Sequence, residues 1–93
     1  MSIAQRIESK LRAALSPAQL AISDDSARHA GHAGARPGGE THFTVEIVSA
    51  AFDGKSRVAR QREVYALLAQ EIADGVHALA LVTLTPEEAK ARR

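Results

Sequence analysis

Thr41-His42-Phe43-Thr44-Val45-Glu46-Ile47-Val48-Ser49 is the stretch from which the fold can be read. Phe43, Val45 and Ile47 alternate with Thr44 and Glu46, the period of two expected of a strand with one buried and one largely polar face. Downstream, Asp53-Gly54 makes a turn and Ser56 is placed to cap a helix. The helix runs to Asp74-Gly75, glycine being the usual residue just past a C-terminus. Val58, Val64, Tyr65, Leu68 and Ile72 fall on one side of it, with Gln61 inside that stripe and Leu67 on the opposite side. Segment 76–84 is short and nearly all apolar, as a third strand covered on at least one face should be. A strand, a helix and a strand in that order form a crossover, so the two strands are expected to run parallel.

Upstream of 41, Ser2 and Gln5 make a capping box. Ile3, Ile7, Leu11, Ala14 and Leu15 then recur at helical spacing. Ser16-Pro17 ends this first helix, because proline disfavours helical geometry in the residue before it. Leu20-Ala21-Ile22-Ser23 reads as a short strand, antiparallel to the next, and residues 24–40 as one long His- and Gly-rich loop. A loop of that length in so small a domain draws attention as a functional segment. At the other end, Thr85-Pro86-Glu87-Glu88 is a second capping box with proline at the first helical position, opening a short helix with a frayed tail over 89–93. The class is therefore α+β, in the order αββαβ plus a short C-terminal helix. A three-stranded mixed sheet packed on one side by two main helices hides both apolar stripes. Residues 1–93 are expected to form one domain.

The most restrictive total is a cysteine count of zero in 93 residues. It excludes disulfides, thiol nucleophiles and thiolate metal ligands, so any metal must be held by His, Asp or Glu. The formal charge of +1 lacks the large excess of Lys and Arg typical of a strongly basic nucleic-acid binder. There is no run of 18 apolar residues and no visible signal peptide, so no membrane partner and a cytoplasmic location are expected. No nucleophile motif or phosphate-cradling loop is present, and Asp24 and Asp25 are adjacent and face opposite ways on a strand end. An enzyme is not expected.

Several blocks in order resemble the BolA family: Asp24-Asp25-Ser26-Ala27-Arg28-His29, the 41–49 stretch, Phe52-Asp53-Gly54-Lys55-Ser56, Val58-Ala59-Arg60-Gln61-Arg62-Glu63-Val64-Tyr65, and Val76-His77-Ala78-Leu79-Ala80-Leu81-Val82-Thr83. The resemblance implies an αββαβ domain similar to the class II KH fold. It also implies partnership with a monothiol glutaredoxin around a shared [2Fe-2S] cluster, completed by glutathione, for cluster assembly, transfer or iron sensing. No cofactor is expected in the isolated chain, and a weak homodimer is the most self-association expected. The family's ligand after the second main helix corresponds to His77. A second ligand in the loop between the first strands corresponds best to His29, with His32 three residues on. By position alone, His77 is a strand histidine beside Leu79 and Leu81, close to the sheet edge. His42 reads as structural or loop-anchoring, with metal binding the lesser alternative. Where many members have Arg-His-Arg, this chain has Arg60-Gln61-Arg62.

A second role implied by the resemblance is DNA binding and transcriptional regulation. Lys55, Arg57, Arg60 and Arg62 cluster at the start of the second main helix, where phosphate could sit with help from the helix dipole. Gly31-His32-Ala33-Gly34 has the spacing of a KH nucleic-acid clamp but lies between strands rather than helices. Three aromatic residues give no stacking platform.

Overall fold

The computed structural model describes residues 2–25 and 41–92. Helix α1 spans Ile3–Leu15, strand β1 Gln19–Asp24 and strand β2 His42–Val48. A 3₁₀ turn at Ala50–Phe52 leads to α2, Arg57–Leu67, and α3, Ala69–Ala73. Strand β3, Ala78–Leu84, and helix α4, Pro86–Ala91, complete the chain. The strand order is β1-β2-β3, with β1 antiparallel and β3 parallel to β2. This is the mixed α+β sheet expected from the sequence.

Both capping boxes form. Ser2 accepts from the Gln5 N–H while the Gln5 side chain returns to the Ser2 N–H, and Thr85 and Glu88 repeat the exchange at α4. Ser56 caps α2 through the Ala59 N–H. At the far end of α1, Ser16 takes the left-handed conformation with φ of 42°, which turns the chain into Pro17.

The core lies between the helices and one sheet face. Phe43, Val45 and Ile47 supply the sheet side; Ile7, Leu11 and Leu15 come from α1, Val64 from α2, and Leu68 from the α2–α3 junction. Parity puts His42, Thr44, Glu46, Ala78, Ala80 and Val82 on the opposite face. Val48 and Leu84 share that face and are nevertheless buried, at the end of the sheet where Ala89 of α4 lies.

The structure departs from the sequence reading in six places. The second main helix breaks at Leu68 (φ −103°, ψ 15°), so one helix becomes α2 and α3. The buried stripe of that pair runs through Arg60, Val64, Leu68 and Glu71, which leaves Val58 59% and Tyr65 41% exposed. Leu67, placed opposite, packs against the core. Asp24 belongs to β1 rather than to the loop, and residues 89–91 are helical rather than frayed. Finally, β3 begins at Ala78, one residue after His77, so His77 is not in the strand.

The stripe rotates because α2 also seals the outer edge of β3. Tyr65 Oη donates to the Leu79 carbonyl at 2.8 Å, Gln61 Nε2 to Leu81 at 3.3 Å and an Arg60 guanidinium nitrogen to Thr83 at 3.2 Å. Alternate carbonyls of an edge strand, otherwise open to pairing with another chain, are thereby occupied. Gln61, where the resemblance leads one to expect histidine, is one of these three donors.

Candidate functional site

The end of the sheet where β2 begins gathers the described histidines. Thr41, fully buried, organises them. Its carbonyl accepts the His77 N–H at 2.7 Å and the Ala78 N–H at 3.2 Å, which fixes the backbone of His77 against the start of β2. Its hydroxyl is hydrogen-bonded to His42 Nδ1 at 2.8 Å. His42 stands in register with Ala78. The two imidazole centroids are 6.4 Å apart with planes tilted by 47°. His77 is exposed and His42 half-buried, so one ring is held and the other reaches solvent.

Asp25 and Thr41, the described residues on either side of 26–40, both belong to this end. The Asp25 N–H donates to the His42 carbonyl at 2.7 Å, and the Asp25 carboxylate accepts from Ser23 and Thr44. His29 and His32 lie outside the described residues. The sequence reading singled out His77 and treated His42 chiefly as structural or loop-anchoring. The contact between them joins residues 35 positions apart and follows from the parallel register, which no local pattern reveals.

The donor set limits the chemistry. Among the described residues, no group of three or more His, Asp or Glu is placed to hold a metal ion. The chain contains no cysteine. An exposed imidazole such as that of His77 can give nitrogen to a transition metal only if the remaining ligands come from elsewhere. It does not fit an all-thiolate cluster site.

The basic set at the start of α2 divides. Arg60 is 5% exposed and its guanidinium is committed to the Lys55 carbonyl at 3.0 Å, to Thr83 and to the Glu88 carboxylate at 2.7 and 3.3 Å. It also lies 5.8 Å over the Phe52 ring. Lys55 Nζ is paired with Glu63 at 3.0 Å. The expectation that Arg60 joins a phosphate-binding cluster is corrected on that ground, whereas Lys55 is exposed and its ion pair is a surface one. Arg57 and Arg62 are exposed. Arg57 lines a cleft of about 330 Å³ with Gln61, residues 81–84 and Arg92. Arg92 went unnoticed in the sequence because only the fold of α4 brings it beside Arg57.

These features define a class: a small three-stranded α+β domain that presents imidazole at one end of its sheet and has no thiol. The comparisons with known proteins place it more narrowly. The BolA-like protein family model matches residues 11–88, and the chain belongs to that family. It is 47% identical over 91 residues to protein BOLA1, chloroplastic, of Arabidopsis thaliana, which covers 96% of this chain and 57% of that one. This chain thus spans little more than half the length of that relative. It is also 47% identical over 88 residues to the DNA-binding transcriptional regulator BolA of Escherichia coli, covering 95% of this chain and 80% of the relative. The solved BolA domain of SufE1 from Arabidopsis thaliana superposes with a TM-score of 0.84 at 48% identity, covering 95% of this chain and 96% of that one. Neither named relative is described by a catalysed reaction. No helix among the described residues is long and apolar enough to cross a membrane.

Proposed function

We propose that this BolA-family chain is the histidine-donating partner of a monothiol glutaredoxin, completing a shared [2Fe-2S] cluster for assembly, transfer or iron sensing. The observation that carries the reading is the exposed His77, anchored through its backbone to Thr41, in a chain without a thiol. A [2Fe-2S] cluster takes four ligands, usually thiolates. This chain cannot supply thiolate, so the glutaredoxin cysteine and glutathione provide the sulfur and this chain provides nitrogen. His29 and His32 are retained as candidate ligands because Asp25 and Thr41, the described residues that flank their segment, lie at the histidine end of the sheet. Native mass spectrometry of the chain mixed with a cluster-loaded monothiol glutaredoxin is the test. The expected species is one copy of each protein with one cluster. A glutaredoxin homodimer that keeps its cluster at every ratio of added chain would refute the reading.

DNA binding is the second reading, favoured by the printed name of the Escherichia coli relative and by the cleft between Arg57 and Arg92. Such binding would be salt-dependent and carried by the exposed Arg57, Arg62 and Arg92, with Lys55 beside them, because Arg60 is buried in its own ion pair with Glu88. Each of the three replaced by alanine is expected to reduce the salt slope of a gel-shift titration by about one. A wild-type titration with no salt-dependent affinity below tens of micromolar, roughly the middle of the range of ordinary non-specific binding, excludes this reading.

A further inference from the structure

The two edges of the sheet are treated differently. Along β3 the outer carbonyls are taken by Tyr65, Gln61 and Arg60, whereas the outer side of β1 has no such cover among the described residues. The Asp25 N–H donates to the His42 carbonyl. By the alternation of an antiparallel ladder, Gln19, Ala21 and Ser23 then bond to β2, while Leu20 and Ile22 turn their N–H and C=O groups outward. Neither has a hydrogen-bond partner on that side among the described residues. The strand contains no proline and no lysine, residues that commonly blunt an exposed edge.

The same two residues carry the apolar side of the edge. Leu20 stands opposite Ile47 and Ile22 opposite Val45. The β2 pair is fully buried, but Leu20 and Ile22 are only half-buried. Charge identifies what covers them. Residues 19–23 bear none. Asp24 and Asp25 follow at one end, and Lys90 and Arg92, from the end of α4, flank Gln19 at the other. An antiparallel strand with the same asymmetry sets acid against base at both ends, and a second copy of β1 is such a strand.

We propose that β1 is a homodimer interface, with the strands of two copies pairing antiparallel about a two-fold axis at Ala21 to form one continuous sheet. Leu20 of each copy exchanges both backbone hydrogen bonds with Ile22 of the other, and their side chains meet on the core side. Ala21 faces its own counterpart across a non-hydrogen-bonded pair about 4.5 Å wide, which suits a small side chain. Since β1 and β3 lie at opposite edges, the exposed His77 of each copy stays accessible, and the inference stands independently of the shared-cluster reading.

Sedimentation equilibrium of the full chain alone is the test. Wild type is expected to pass from monomer to dimer as its concentration rises. Ala21→Glu is expected to stay monomeric over the same range, because its carboxylate meets its counterpart with both Glu46 side chains alongside. Ala21 is exposed, so the variant keeps its fold, which far-ultraviolet circular dichroism checks. Mixing Ala21→Glu with Ala21→Lys is expected to restore the dimer as a heterodimer. In hydrogen exchange of wild type, the Leu20 and Ile22 amides are expected to gain protection with concentration. A monomer at every concentration, a dimer that survives Ala21→Glu, or a mixture that stays monomeric would each overturn the proposal. So would amides at 20 and 22 that are equally protected in dilute sample, the mark of an edge covered by the chain's own segment 26–40.

Discussion

Replacing Arg6 and Lys10 together by alanine is expected to destabilise the domain by about 2–4 kcal/mol, because it strips a buried carboxylate of both its cations. Glu71 is the reason. Its side chain is 1% exposed, yet it is a carboxylate in the wall between α1 and α3. Arg6 reaches Oε2 at 2.8 Å and Lys10 reaches Oε1 at 2.8 Å, each from α1. Arg6 also holds Asp74 at 2.7 Å. A buried charge stripped of its partners typically costs 3–5 kcal/mol, and the lower range applies because the two cations are 28% and 40% exposed. Against a total stability of about 5–15 kcal/mol this is a large fraction. A drop in Tm of roughly 10–25 °C follows for a domain of this size.

The pH dependence of the effect reverses sign between the two proteins. Burial pushes the Glu71 carboxyl up, but the Lys10 hydrogen bond, a backbone hydrogen bond and Arg6 outweigh it, so the group lies below its usual 4.5. A lowered carboxyl contributes stability that is present above the ordinary value and lost as pH falls through the folded one. Wild type therefore weakens on acidification below about pH 4.5. In the double variant, burial acts without its opposing cations, the carboxyl rises, and acidification relieves part of the damage. Urea unfolding at neutral and mildly acidic pH measures both. A loss under about 1 kcal/mol, or a deficit that grows as pH falls, contradicts this account of Glu71.

Arg60→Ala is the second large effect, expected at about 2–3 kcal/mol. The substitution strips the Thr83 carbonyl of a buried donor and removes the guanidinium from the Phe52 face. Arg60→Lys is not expected to rescue it, because an ammonium cannot span the Lys55 carbonyl, Thr83 and Glu88 at once. Glu88 reports the same event. The Arg60 hydrogen bond, then that from the Thr85 N–H, hold its carboxyl down at about 2. In Arg60→Ala it should return toward 4.5, read by NMR titration. By contrast, Arg62→Ala, at an exposed position, is expected to stay within about 0.5 kcal/mol of wild type. A stable Arg60→Ala protein with Glu88 still near 2 would show that the guanidinium is not what ties α2 to α4.

The strands and caps were legible because they depend on neighbours in sequence. Alternation over 41–49 and the two capping boxes translate directly into backbone geometry. The crossover between β2 and β3 followed from chain order alone. What could not be read were the buried charges. Arg60 and Glu71 count as polar in any periodicity, so the apolar pattern of the second main helix pointed to Val58 and Tyr65 instead. Their partners, Glu88 for one and Arg6 with Lys10 for the other, are 28 or more residues away. The same limit applies at the histidines. His77 stood out through the family resemblance, whereas the placement of His42 beside it depends on the parallel register. His29 and His32 lie outside the described residues, and their part in the site rests on the proposals above.

The central claim is that this chain lends an imidazole to iron held by sulfur from another molecule. Visible circular dichroism of a cluster-loaded monothiol glutaredoxin, titrated with wild-type chain and with His77→Ala, tests it most directly. The expected result is a new spectrum that saturates at one equivalent of wild type and is absent with His77→Ala, whose fold is unchanged because residue 77 is exposed and its backbone bond to Thr41 survives the substitution. A spectrum unmoved by wild type, or moved equally by the variant, would contradict it.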